Sequence, residues 1–443
     1  VGLANRVEKT GRERANTGQQ TPPEHRDRQT GMRGDFANLR FLCKSVGALL
    51  QGESPMPYAE GRTYNDADSH IMETRDWLAS YIDPRLRDRL PPPDFAVSGR
   101  MADAIGKVRD DAHWASVNLE ANLMNLKGWD AYGANDPAQR TRALDMLGFN
   151  CQLVFASFAP SQFWGTFAQR KPGADGSKRD LDVDLLYGGT RALNRAMADF
   201  CAHDKRLLAV GFVPLDVPEL AEREIEEAIR LGCRTVWIPA TAAGDKAPSH
   251  PALDGVWARL QDANMPFMLH IGAGRIPIDP AYINNGLKAT DFLGGGETVR
   301  AKDFMLMHVP SELFLSALIL DGTLEKFPRL RGGCIEQGAM WVVPWLKRLD
   351  AAQEAFVRTE PALALPMRAS EYARRQLRFT AFPTEPLGWM IEQAGPDLFL
   401  FSSDYPHIEG GRNPLKRFES SMKGVDEDAK EKFYARNFSD MMG

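Results

Sequence analysis

From Thr141 onward the chain alternates amphipathic stretches with short apolar runs, and this alternation restricts the fold more than any other feature. A helix ending at Leu147-Gly148 precedes the apolar run 151–155, a helix over 190–203 precedes 207–214, and a helix over 220–231 precedes 233–239. A further helix over 253–263 feeds the run 265–274. Strands and helices in this rhythm predict a parallel sheet with right-handed crossovers. With 64–70 as the first strand, the run 265–274 is the fifth.

Three of these strands end in groups able to hold a metal. Residues 64–70 read Y-N-D-A-D-S-H, and side chains two apart on a strand share a face, so Asp66, Asp68 and His70 are expected to point the same way. Residues 265–274, M-P-F-M-L-H-I-G-A-G, deliver His270 into a glycine-rich turn; residues 397–407, D-L-F-L-F-S-S-D-Y-P-H, deliver Asp404. Apolar strands ending in such ligands are what a metal site at the C-terminal mouth of a parallel barrel requires. Asp66 competes with Asp68 if the register slips.

Strand six admits two readings. One ends it at His308, in F-M-L-M-H; the other takes 330–336 as the strand and 310–326 as the helix before it. Pro310-Ser311-Glu312 suits a helix start, because proline is tolerated in a first turn. The second reading makes 377–382 strand seven, closes the barrel with the Asp404 strand as the eighth, and leaves no strand unpaired. It is preferred here. Glu336 then stands at the end of strand six, with His308 approaching from the preceding insertion.

The D-A-D-S-H opening, the L-H-I-G turn, F-P-R-L-R followed by I-E-Q-G-A-M-W, and the closing S-S-D-Y-P-H together resemble the amidohydrolase-related family that includes the aminocarboxymuconate semialdehyde decarboxylases, over residues 64–443. The resemblance implies an α/β fold, a (β/α)8 TIM barrel with helical insertions at its C-terminal mouth, and a divalent metal. The metal ligands are expected to be Asp68, His70, His270 and Asp404. Such a set suits zinc, manganese or a similar divalent ion; carboxylate in place of imidazole makes the ligands harder on average, and zinc is the first choice with manganese a close second. Binuclear relatives bridge their ions with a modified lysine from strand four; residues 233–239, C-R-T-V-W-I-P, offer none, and Lys246 lies beyond in a loop, so one ion is expected.

A bound metal lowers the pKa of its water to about 7 from about 15.7. The resemblance implies that Asp404 is both ligand and acceptor of that water's proton. The family's sixth strand usually ends in an acid-base histidine; here the matching residue is Glu336, so Glu336 or His308 is expected to orient the water, polarise the substrate or protonate the leaving group. His407 and His113 are the candidate substrate contacts. The expected activity is hydrolysis of a small carbonyl or carboxylate compound, including C–C cleavage of a ring-derived acid. Two alternatives stand beside it: a nonoxidative decarboxylase, and a catalytically silent binding barrel.

Composition narrows the remaining classes. Of 443 residues, 43% are hydrophobic and the net charge is -5, so a sizeable core is available and no basic field for nucleic acid is indicated. Apolar runs such as 313–320 fall far short of the ~20 residues that span a bilayer. The five cysteines contain no C-x-x-C pair, which points to a reducing compartment, and the cytoplasm is the expected location. Residues 1–55, rich in Arg, Glu, Gln, Gly and Thr, are expected to be a disordered extension carrying at most a short helix over 36–50. The functional protein is expected to begin near Met56, with 56–443 as the barrel domain.

A helix is predicted over 74–90, from the stripe Trp77, Leu78, Tyr81 and Ile82. After it, residues 94–138 form an insertion at the mouth whose Trp114, Trp129 and Tyr132 are expected to serve packing. His25, His203 and His250 are read as structural. A small-molecule substrate is the expected partner. A homodimer is one assembly the sequence leaves open, with 341–349 as either interface or core helix.

Overall fold

A computed structural model describes residues 57–90, 106–107, 110–168, 181–273, 279–287 and 300–443. The expected extension over 1–55, its short helix and the start at Met56 lie outside these residues. The chain divides after Ser54, and the unit Pro55–Gly443 carries the architecture that follows.

Eight strands run in chain order around one sheet: β1 Asn65–Ile71, β2 Cys151–Ala156, β3 Leu207–Phe212, β4 Thr235–Trp237, β5 Phe267–His270, β6 Gly332–Ile335, β7 Leu377–Thr380 and β8 Phe399–Leu400. Each is parallel to the next. The ring is drawn together between β8 and β1 by backbone bonds from Ala67 N–H to the Phe401 carbonyl at 3.0 Å, Asp404 N–H to Asp68 at 2.9 Å, and His70 N–H to Tyr405 at 2.7 Å. The result is the (β/α)8 TIM barrel. Most strands read as near-continuous apolar runs because parallel strands inside a shell of helices are buried on both faces.

The crossover helices carry their own start and stop signals. In Pro137–Leu147 the Asp136 carboxylate accepts the Gln139 N–H at 2.8 Å, and Gly148 ends the helix at φ 74°. Helix Pro218–Leu231 opens on proline, ends at Gly232 with φ 86°, and buries Ala221, Ile225 and Ala228.

Strand six follows the preferred reading. β6 pairs with β5, His270 opposite Ile335, and His308 caps helix Val309–Leu320 instead of ending a strand. That helix and Ala301–Leu306 form the stretch Ala301–Leu320, the one among the described residues long and apolar enough, by length and composition alone, to match a membrane-crossing segment. The sequence reading found no run of that length. The stretch is interrupted at Met307-His308, and Phe314, Leu315, Leu318 and Ile319 enter the core.

The predicted helix over 74–90 is a correction. Those residues form successive turns, because Pro84 lacks an N–H and the Asp83 carboxylate takes the Arg85 N–H at 3.0 Å. The spacing still buries Leu78, Ile82, Leu86 and Leu90. Residues 341–349 belong mostly to helix Val342–Phe356, which turns Val342, Trp345, Leu346 and Leu349 into the core.

Candidate metal centre and cleft

The site is assembled from the C-terminal ends of four strands. His270 closes β5 with its ring packed against Phe155 at 4.5 Å and Trp237 at 4.7 Å between centroids. Its Nδ1 lies 2.8 Å from the Ile271 carbonyl. A carbonyl only accepts, so Nδ1 carries the proton and Nε2 presents a lone pair. His70 on β1 is 1% exposed, and its carbonyl accepts from the buried Arg140 guanidinium, which sits 5.1 Å over the Tyr405 ring.

Glu336 and Asp404 follow β6 and β8 on left-handed backbone, at φ 54° and φ 52°. Such a conformation is uncommon for a side chain other than glycine and persists where its surroundings hold it. Here the Glu336 N–H donates to Thr380 Oγ1 at 2.9 Å, and the Asp404 N–H donates to the Asp68 carbonyl.

These side chains crowd together without bonding to one another. His70 Nε2 is 3.1 Å from Asp68 Oδ1 and 3.7 Å from both Glu336 Oε2 and Asp404 Oδ1; His270 Nε2 is 3.4 Å from Asp68 Oδ1 and 3.3 Å from Glu336 Oε2. Both oxygens of Asp68 and Asp404, both ring nitrogens of His70 and Nε2 of His270 are buried with no hydrogen-bond partner. Buried polar atoms are nearly always satisfied, and leaving ionised ones bare is costly. A divalent ion resolves the cost. Bonds of ~2.0–2.1 Å to tetrahedral zinc place ligand atoms roughly 3.3–3.4 Å apart, and the spacings around Asp68, His70, His270 and Glu336 centre on that value. The residues therefore fit the metal.

Burial, reinforced by the neighbouring His407 and His270 rings, holds His70 well below the usual imidazole range. His70 is thus neutral, as a ligand must be. Asp66 stands apart from the cluster. The β1–β2 register shifts between Asp66 and Ser69, and the Asp66 carboxylate is taken by Gln152 Nε2 at 2.8 Å, Ser403 N–H at 2.7 Å and Ser403 Oγ at 2.6 Å. It pins β1 to the loop after β8, and burial pushes its pKa up to about 7.

Two groups of candidate ligands emerge among the described residues: Asp68, His70, His270 and Glu336, and His70, Glu336, Asp404 and His407, their ligand atoms within 4.8 Å of one another. Glu336, read from sequence as an acid-base group, thus also belongs with the ligands. Its place beside His270 across the β5–β6 pair is the signal that points there.

His407 bridges the cluster to β2, with Nε2 2.7 Å from Ser157 Oγ and Nδ1 3.1 Å from Asp404 Oδ1. The other two candidate histidines, His308 and His113, lie elsewhere. His308 stacks on Trp341 at 5.3 Å and faces Glu312 at 3.5 Å; its neighbour Met307, rather than His308, lines the cleft. The helix that starts at Val309 fixes this direction. His113 stands edge-on to Trp114 at 4.8 Å on helix Asp111–Ser116 and does not line the cleft.

Above the cluster opens a cleft of about 650 Å³. His70, His270 and Glu336 form its floor, Phe158, Phe304 and Phe382 give it apolar walls, and among the described residues Arg417 is the one lysine or arginine that lines it. Trp129 from the mouth insertion stacks on Phe158 at 5.4 Å with rings 9° apart, so that packing aromatic shapes the cleft. Ser157, Phe158 and Arg417 escaped the sequence reading, since nothing local marks a serine one residue past a strand or an arginine on a late helix.

A parallel barrel whose strand ends gather imidazoles and carboxylates beneath an apolar cleft defines the class of metal-dependent barrel enzymes. The chain belongs to the amidohydrolase family, whose profile matches residues 178–437. Its fold is similar to that of an amidohydrolase from Mycobacterium avium subsp. paratuberculosis K-10, at 20% identity and a TM-score of 0.62, covering 87% of this chain and 100% of that one. It is likewise similar to 5-carboxyvanillate decarboxylase from Sphingomonas paucimobilis, at 18% identity and 0.53, covering 86% and 99%. A third, a dihydroxybenzoic acid decarboxylase from Polaromonas sp. JS666 with bound manganese and the inhibitor 2-nitroresorcinol, matches at 17% identity and 0.54, covering 86% and 97%.

Proposed function

We propose that the protein is a metal-dependent hydrolase acting by metal-activated water on a small carbonyl or carboxylate compound, with ring-derived acids as the substrate class. The observation that carries this reading is the convergence of buried, unbonded atoms of Asp68, His70, His270 and Asp404, with His70 and His270 at the floor of the cleft. These residues, with Glu336, would hold the ion. When bound, a divalent ion supplies Lewis acidity and a water of pKa near 7.

The chain's own groups do the rest. Asp404 takes the proton of the attacking water, and Ser157 and Asp404 between them fix the His407 ring at the cleft wall. Phe158, Phe304 and Phe382 offer apolar walls to a ring, and Arg417 receives an acid group. Zinc and manganese both suit two imidazoles with three carboxylates, the carboxylates favouring manganese. A reducing compartment such as the cytoplasm accords with Cys151, Cys201, Cys233 and Cys334 being free thiols.

The second reading, a nonoxidative decarboxylase, is favoured by the apolar, arginine-rimmed cleft, which suits an aromatic acid, and by the named activities of two fold neighbours. One assay separates the readings: metal-loaded protein is screened against ring-derived esters, amides and acids for hydrolysis and for carbon dioxide release, beside Asp404→Asn. Turnover that falls by ~10²–10⁴ in the variant is expected, the range for loss of a positioned acid-base group. Binding of acids without turnover by metal-loaded protein would instead support a silent binding barrel.

A further inference from the structure

A second cavity shares none of the residues that line the cleft. Its volume is about 350 Å³, at the small end of ligand pockets. Two segments build most of it. From the mouth insertion come Glu120, in helix Leu119–Asn122, and Leu123 and Met124 just beyond that helix; from the loop after β8 come Arg412 and Asn413. That loop serves both cavities, since Gly410 and Gly411 line the cleft and the next two residues line this one.

The lining sorts by chemistry. Leu123 and Met124, 2% and 6% exposed, make an apolar floor with Met146 from helix Pro137–Leu147. Asn413 is held by its side-chain oxygen: Oδ1 accepts the Lys416 N–H at 3.2 Å and the Tyr58 hydroxyl at 3.3 Å. Its amide N–H groups remain as donors beside the Arg412 guanidinium. The Tyr58 hydroxyl is itself fixed, accepting the Leu415 N–H at 3.2 Å, and burial pushes its pKa up to about 12, so it keeps its proton. Among the described residues neither the Arg412 guanidinium nor the Glu120 carboxylate makes a hydrogen bond or an ion pair. Arg62, Arg206 and Arg259, by contrast, each pair with two carboxylates. A cation with amide donors beside it, an anion and an apolar floor, all lining one small cavity, are complementary to a zwitterion with an apolar body.

We propose that this cavity binds an apolar α-amino acid: its carboxylate on Arg412 and Asn413, its ammonium on Glu120, its side chain on Leu123, Met124 and Met146. The site is separate from the chemistry at the strand ends and does not depend on it. An occupant joins the mouth insertion to the loop after β8, and by mass action it raises the melting temperature.

The test is calorimetric titration of the full chain with L-leucine and L-phenylalanine, beside glycine, N-acetyl-L-leucine and L-leucinamide. One saturable equivalent is expected for the first two, with glycine weaker because it leaves the floor bare. Arg412→Gln is expected to weaken L-leucine by ~10–100-fold, the range for a lost charge-assisted hydrogen bond, and to leave L-leucinamide, which has no carboxylate, unmoved. Glu120→Gln is expected to weaken L-leucine by a similar factor and to leave N-acetyl-L-leucine, which has no ammonium, unmoved. Both positions are exposed, so neither substitution threatens folding. The Asp68→Ala/His270→Ala variant is expected to bind L-leucine as the wild type does; loss of binding there would place the amino acid in the cleft and overturn the proposal. Absence of saturable binding, or binding indifferent to both Arg412→Gln and Glu120→Gln, overturns it too and leaves the metal reading untouched.

Discussion

Glu73 shows how a single buried group reports on this fold. Its Oε1 accepts the N–H groups of Phe158 and Ala159 at 2.9 and 3.1 Å, Oε2 is buried without a partner, and burial pushes its pKa up to about 7. A carboxyl with a raised folded-state pKa contributes stability that is fully present below its unfolded value, near 4.5, and is lost as pH rises through 7. Glu73→Gln keeps the accepting oxygen and removes the titration, so its melting temperature is expected to fall less than the wild type's between pH 5 and pH 8. Parallel curves would contradict this account. Glu73 was invisible to the sequence reading, as were Ser157 and Arg417, because their roles depend on which backbone they meet. His70 and His270 were legible because they sit at or beside strand ends, where one-dimensional pattern and three-dimensional position coincide; Asp68 shares His70's face of β1, and Asp404 follows β8 in the loop beyond it. His308 was harder: one residue before a helix, it follows that helix's direction and stacks on Trp341.

At the scale of elements, the β5–β6 pair sets the separation of His270 and Glu336. Gly332 opens β6 where a Cβ would lie 2.4 Å from the Phe267 ring across the pair. Gly332→Ala is therefore expected to destabilise the protein by ~1–3 kcal/mol, the cost of overpacking a tight core, and to weaken metal binding by spreading the two strand ends. Chemical denaturation read beside metal affinity checks both; an unchanged affinity would separate the strand spacing from the site. The strand-six assignment was legible from proline at the start of the preceding helix and from the strand count. The 74–90 segment was not, because an apolar stripe at helical spacing is equally served by successive turns once Pro84 interrupts the ladder.

For the whole molecule, barrel closure and metal chemistry meet at one seam. Asp66 ties β1 to Ser403, and the next residue, Asp404, donates its N–H to the carbonyl of Asp68, two residues along β1 from Asp66. An ion held by residues from β1, β5, β6 and the loop after β8 fastens the ring from inside. Chelation is therefore expected to lower the melting temperature, since a ligand at a hundredfold its Kd stabilises the folded state by ~2.7 kcal/mol. The alternation of strands and helices made the barrel legible almost throughout. The cleft walls were not, because they come from insertions with no period of their own.

The most direct test of the account is elemental analysis of the purified full chain after gel filtration, beside the Asp68→Ala/His270→Ala variant. At least one equivalent of zinc or manganese per chain, lost in the variant while its circular dichroism spectrum is retained, is the predicted result. No metal in the wild type even after incubation with zinc or manganese, or equal metal in both proteins, would contradict it.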